Sequence, residues 1–127
     1  MLACFHLGKL LYNVSMLALL MTMVQVQTLE TKGHRETKML MWVVFAGSKG
    51  AANRIKIINL LKKHPYNVNQ LSEELHLDYK TIQHHIRVLE TNNFVSKAGS
   101  SYPIIYFIAP LLEFNMEMLE EIQQKIS

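Results

Sequence analysis

A mainly helical fold with one small β-hairpin is what this sequence predicts, arranged as a winged helix-turn-helix. A hydrophobic helix precedes that unit and an amphipathic helix follows it. Three observations lead there. Helical apolar periods recur three times between Ser48 and Asn93. The second and third of these are joined by only a few residues, the spacing of a helix-turn-helix. Two β-forming segments then flank Gly99, Ser100 and Ser101, which reads as a hairpin.

The first helix of the unit lies within SKGAANRIKIINLLKKH, where Ile55, Ile57, Ile58, Leu60 and Leu61 recur at helical spacing and Pro65 ends the run. Asn67 has the chemistry of an N-cap, and Gln70 sits three residues on, where a capping box needs it. The short helix that follows buries Leu71 and Leu75. Asp78 caps the next helix, which buries Ile82, Ile86 and Leu89 and stops at Asn92 and Asn93, residues that tolerate a left-handed backbone. Phe94 to Ala98 and Tyr102 to Ile108 form the wing. Pro110 opens a last helix with Leu111, Phe114, Met118, Ile122 and Ile126 on one stripe.

Residues 48–110 are thus the expected DNA-binding domain and residues 111–127 the expected dimerisation helix. Residues 27–38 are polar around Gly33 and read as a linker, and Met39 to Ala46 is a short apolar run, helix or strand, closed by Gly47. Residues 1–26 are apolar and densest from Leu10 to Val26. That run is shorter than the ~20 residues a bilayer crossing needs, although a span can be extended through Phe5 to Leu11. The segment lacks a small-residue cleavage site and so does not read as a signal peptide. Three alternatives stay open: a membrane anchor with the rest of the chain in the cytoplasm, a helix in a dimer interface, or a natural start at a later methionine such as Met39.

A chain of 127 residues is about one domain, and with 50% hydrophobic residues it has ample material for a core. The net charge is +3 and the pI about 9.0. The distribution says more. Residues 48–110 hold eight basic against four acidic side chains, whereas residues 111–127 hold one lysine against four glutamates. A polyanion would be met by the middle of the chain. The single cysteine, Cys4, excludes an internal disulfide and a cysteine-based metal site and suits a cytoplasmic, reducing compartment.

With Ile82, Ile86 and Leu89 buried, Lys80, Gln83, His84 and Arg87 fall on the opposite face of helix 79–92. They offer a phosphate-seeking cation, an amide able to pair with adenine, an imidazole, and a guanidinium able to pair with guanine. Tyr79 and Thr81 lie in the first turn, whose amides attract phosphate. Helix 79–92 is therefore expected in the major groove and the wing 94–108 on the backbone. Lys97, Lys49 and Arg54 are further expected phosphate contacts. Leu111, Phe114, Met118 and Ile122 are the expected dimer interface.

Asn53-Arg54, Asn69 to Leu75 and Asp78 to Leu89, with the string DYKT–HH, resemble the archaeal branch of the ArsR-type winged-helix regulators. The resemblance covers about half of the chain. It implies a dimeric winged helix-turn-helix acting on operator DNA, and some relatives carry a hydrophobic membrane tether. The chain departs from the metal-sensing members, since residues 111–127 contain no His, Cys or Asp, and adjacent His84 and His85 diverge by about 100° on a helix. No metal, cofactor or catalytic group is expected: the sequence has no glycine-rich phosphate loop, no HExxH and no nucleophile setting. The rival functions are a protein-interaction module, which the cations Lys80, Arg87 and Lys97 argue against, and a membrane-tethered sensor.

Overall fold

The computed structural model describes the backbone of residues 2–127 and the side chains of residues 15–25 and 33–127. The elements run α1 (Leu2–Phe45), α2 (Ala51–Leu61), α3 (Val68–Leu75), α4 (Tyr79–Thr91), β1 (Val95–Ala98), β2 (Ile105–Ile108), α5 (Pro110–Phe114) and α6 (Met116–Ile126). The chain divides into two units, Met1–Lys38 and Met39–Ser127.

In the first unit the polar stretch 27–38, expected as a linker, is helical. One glycine without a proline weakens a helix but does not end it, and Thr37 Oγ1 donates to the Gly33 carbonyl at 2.8 Å in the i−4 manner. Met16, Leu17, Leu20 and Met21 are exposed. Among the described residues no helix is long and apolar enough to cross a membrane. The side chains of Phe5 to Leu11, on which the extended span depended, lie outside the described residues.

The second unit is the winged helix-turn-helix. Of the apolar run Met39 to Ala46, all but Ala46 belong to the end of α1, and Met41, Val44 and Phe45 are buried in the core of this unit. Gly47 N–H and Ala46 N–H both donate to the Trp42 carbonyl at 2.8 Å, which closes the last turn. Around Phe45 the core gathers Ile57, Ile58 and Leu61 from α2, Leu71 from α3, and Ile82, Ile86 and Leu89 from α4. The Phe45 and Phe94 rings lie 5.4 Å apart in a tilted pair. Fully burying side chains of this size contributes about 1.5–3 kcal/mol each, so this one cluster holds all three helices.

Local chemistry sets the helix boundaries. The Asn67 side chain accepts from Gln70 N–H at 2.8 Å, and the Gln70 side chain accepts from Asn67 N–H at 2.9 Å, a complete capping box. α3 ends at His76 in the left-handed conformation, φ 54°, a position that usually takes Gly or Asn. Ser72 Oγ reaches over this turn to donate to the Leu77 carbonyl, and Leu77 N–H donates to the Ser72 carbonyl. Asp78 then caps α4. At the other end Asn93 is left-handed, φ 60°, and Phe94 N–H donates to the Leu89 carbonyl at 2.9 Å. The stop expected at the asparagine pair is where the helix ends.

β1 and β2 pair antiparallel with Val95 opposite Ile108 and Ala98 opposite Ile105. Tyr66, just before α3, exchanges two backbone hydrogen bonds with Tyr106 at 3.2 and 2.9 Å. This bridge sets a third segment against β2, which no sequence signal anticipates. The expected single C-terminal helix is interrupted at Asn115, whose side chain donates to the Leu111 carbonyl at 2.7 Å. The interruption turns the apolar stripe. Leu112, Met118, Leu119 and Ile122 are buried in the unit's own core, while Phe114 is 90% exposed. Met118 and Ile122, expected at a dimer interface, are therefore internal packing residues, whereas Leu111 and Phe114 keep exposed surface.

Candidate nucleic-acid interface

The helix-turn-helix fixes α4 from one side of its circumference and leaves the other free. Ile82, His85, Ile86 and Leu89 are buried. Tyr79, Lys80, Gln83, His84 and Arg87 are exposed, as their half-turn offset from the apolar stripe requires. Between Tyr79 and Arg87 this face carries two fixed positive charges and no carboxylate. An α-helix presenting such a row fits the width of a B-form major groove.

The start of α4 is shaped by Asp78. One of its carboxylate oxygens accepts from Thr81 N–H at 3.2 Å and the other from Thr81 Oγ1 at 2.5 Å. The hydroxyl bond, then the amide bond, hold the Asp78 carboxyl below its ordinary range. Thr81, expected as a DNA contact, has its hydroxyl proton engaged in this cap. The cap fixes the first turn, in which Tyr79 and Lys80 are exposed.

The wing adds Lys97, whose Nζ lies 3.4 Å from Glu90 Oε1, both side chains being substantially solvent-exposed. An exposed pair of this kind contributes at most about 1 kcal/mol, so a phosphate can take the place of Glu90 as the lysine's partner. The loop between the strands is tied back to α3, because Asn69 Nδ2 donates to Tyr102 Oη at 2.6 Å. This contact ties the wing loop to α3, in the same unit as α4. Nothing local in the sequence signals it, since the two residues are 33 positions apart.

Arg54, expected on the DNA backbone, is corrected by its surroundings. It is 7% exposed, and its Nη1 donates to the Val44 carbonyl at 2.8 Å and to Ser48 Oγ at 2.6 Å. The side chain ties α2 to the C-terminal end of α1 and is not a surface cation. Lys49, nearby in the loop before α2, keeps some surface, and His85, next to Arg54, is 5% exposed. Burial, then the charge of Arg54, then His84, hold the His85 imidazole below the ordinary histidine range. The His84 and His85 rings lie 5.5 Å apart and tilted by 57°. Among the described residues no group of three or more His, Cys, Asp or Glu can hold a metal ion.

Residues 52–97, which run from α2 into the first wing strand, match the family model described as "Bacterial regulatory protein, arsR family". Solved structures share the fold. A possible transcriptional regulatory protein from Mycobacterium bovis (fragment 1–100) superposes with a TM-score of 0.58 at 16% identity, covering 71% of this chain and 90% of that one. The homodimeric winged helix-turn-helix DNA-binding domain from the same organism, studied in solution, gives 0.56 at 15% identity over 74% and 82%. The transcriptional regulator HlyU from Vibrio vulnificus gives 0.53 at 15% identity over 80% and 94%. No curated protein matches at the level of sequence.

Proposed function

We propose that this chain is a sequence-specific, duplex-DNA-binding regulator of transcription with an ArsR-type winged helix-turn-helix and no catalytic role. The exposed face of α4 carries the reading, since it sets Lys80, Gln83, His84 and Arg87 in a carboxylate-free row on a helix anchored by its opposite side. In this reading α4 lies in the major groove, Gln83 and Arg87 contact base edges, and Lys80, Lys97 and Lys49 contact phosphates. The match of residues 52–97 to a family of regulatory proteins supports it. The link to the archaeal branch rests on Asn53-Arg54, Asn69 to Leu75 and Asp78 to Leu89. The place of action is the cytoplasm, where the DNA is.

The working form is a homodimer, as the Mycobacterium bovis DNA-binding domain is. Trp42, Val43, Leu111 and Phe114 supply exposed apolar surface on the winged-helix unit, of the kind that marks interfaces. Two copies would set two α4 helices about 34 Å apart, one turn of DNA, on a palindromic site. Selection of binding sites from a random duplex pool, followed by sedimentation of the protein with and without the selected duplex, tests both parts. Enrichment of a palindrome bound by two chains is the expected result. Phe114→Glu is expected to lower the self-association and, with it, the affinity for the full site.

A further inference from the structure

An open pocket of about 320 Å³ lies in the winged-helix unit, lined by Lys49, Gly50, Asn53, Arg54, His84 and His85. None of these residues is acidic. Two of them are more than nine-tenths buried and still leave a polar atom without a partner among the described residues, Arg54 Nε and His85 Nδ1. Buried nitrogens of this kind are ordinarily paired, because an unmade hydrogen bond away from water is expensive. Gly50 explains how they come together. A Cβ on Gly50 would lie 2.9 Å from Arg54 Nη2, 3.0 Å from His85 Nδ1 and 2.5 Å from His85 Cε1. Both side chains therefore converge on the bare face of Gly50, and any larger residue would displace them. Gly50 is also the N-cap of α2 and makes no side-chain cap hydrogen bond, so the positive end of that helix dipole opens at the same place.

We propose that this pocket seats a phosphate-class oxyanion. The donor set is a guanidinium, an ammonium, two imidazoles and an amide, with a helix N-terminus behind them. Lys49 and Arg54 give it two fixed positive charges, and its lining contains no carboxylate to hold a cation. The anion can be free phosphate or the phosphodiester of a duplex, and the pocket is open to both on the side of Lys49 and His84. Binding would give His85 the negative neighbour it lacks beside Arg54, His84 and Lys49, and would raise its affinity for a proton. The free-anion arm is independent of the DNA reading, and only the duplex arm rests on it.

The test follows the imidazole resonances of the full chain during titration with inorganic phosphate, against sodium chloride at matched ionic strength. A saturable shift of the His85 signals, with one site per chain and an upward move of the His85 titration, is the expected result. Lys49→Gln is expected to weaken it about tenfold, on the scale of one lost charge-assisted contact. Gly50→Ala is expected to abolish it, and Lys49→Gln keeps the test open if Gly50→Ala does not fold. A second titration uses duplex DNA in phosphate-free buffer. If phosphate is silent but the duplex shifts His85 in a Lys49-dependent way, the anion is the DNA backbone and the seat stands. If neither shifts His85 beyond the chloride control, or if Lys49→Gln and Gly50→Ala leave the shifts unchanged, the proposal is overturned.

Discussion

α4 and α6 are built on the same plan and finished differently. Each is an amphipathic helix with a buried stripe in one shared core, Ile82, Ile86 and Leu89 in the first and Met118, Leu119 and Ile122 in the second. Their outer faces diverge. α4 shows Lys80, Gln83, His84 and Arg87 to solvent, whereas α6 shows Glu117, Glu120, Glu121 and Gln124. The buried stripe decides that a helix forms and where it packs. The outer face does nothing for the core and everything for the choice of partner. A polyanion is attracted to one helix and repelled by the other.

If the two helices are equal in the core, equal damage there must cost alike. Ile86→Ala and Ile122→Ala are each expected to lower the unfolding free energy by about 2–5 kcal/mol, measured by urea denaturation. A cost confined to Ile86 would mean that α6 is an appendage and not part of the core. On the outer faces the helices must part. Arg87→Ala is expected to weaken binding to a selected duplex by about 1–3 kcal/mol, whereas Glu120→Ala is expected to leave binding unchanged or slightly stronger. Fluorescence anisotropy at fixed salt reads both.

Much of this contrast could be read from the sequence, because the signals are local. The capping box at Asn67 and Gln70, the Asp78 cap and the Asn93 stop each involve residues a few positions apart, so a linear reading finds them. What escaped it depends on distant partners. Arg54 looks like any surface cation until the Val44 carbonyl and Ser48 hydroxyl are seen beside it. The C-terminal stripe looks continuous because Asn115 is a tolerable helix residue, yet its side chain turns back on Leu111, and Met118 and Ile122 face the core. The Tyr66–Tyr106 bridge and the Asn69–Tyr102 contact join segments far apart in sequence, and no periodicity encodes them.

Two smaller effects sharpen the comparison. Lys97→Ala is expected to weaken binding almost equally on all duplexes and to lower the salt slope by about one. A loss confined to one sequence would move Lys97 from the phosphates to the bases. The second effect concerns pH. His85 is held below its ordinary value by burial, Arg54 and His84, so the unfolded chain binds its proton more readily than the folded one does. The associated stability is complete above the unfolded value, about 6.5, and is lost as pH falls through it toward the folded value. Urea midpoints are expected to drop between about pH 7.5 and about pH 5.5, as the unfolded chain takes up this proton. His85→Gln is expected to flatten that part of the profile.

The comparison of outer faces comes down to whether α4 reads sequence. The direct measurement is the affinity of the full chain for its selected duplex and for a scrambled one, before and after the double substitution Gln83→Ala and Arg87→Ala. The expected result is that the double variant folds with an unchanged urea midpoint, retains salt-dependent binding to both duplexes, and loses the preference for the selected one. Discrimination between the duplexes that survives both substitutions would contradict the assignment of α4 as the recognition helix.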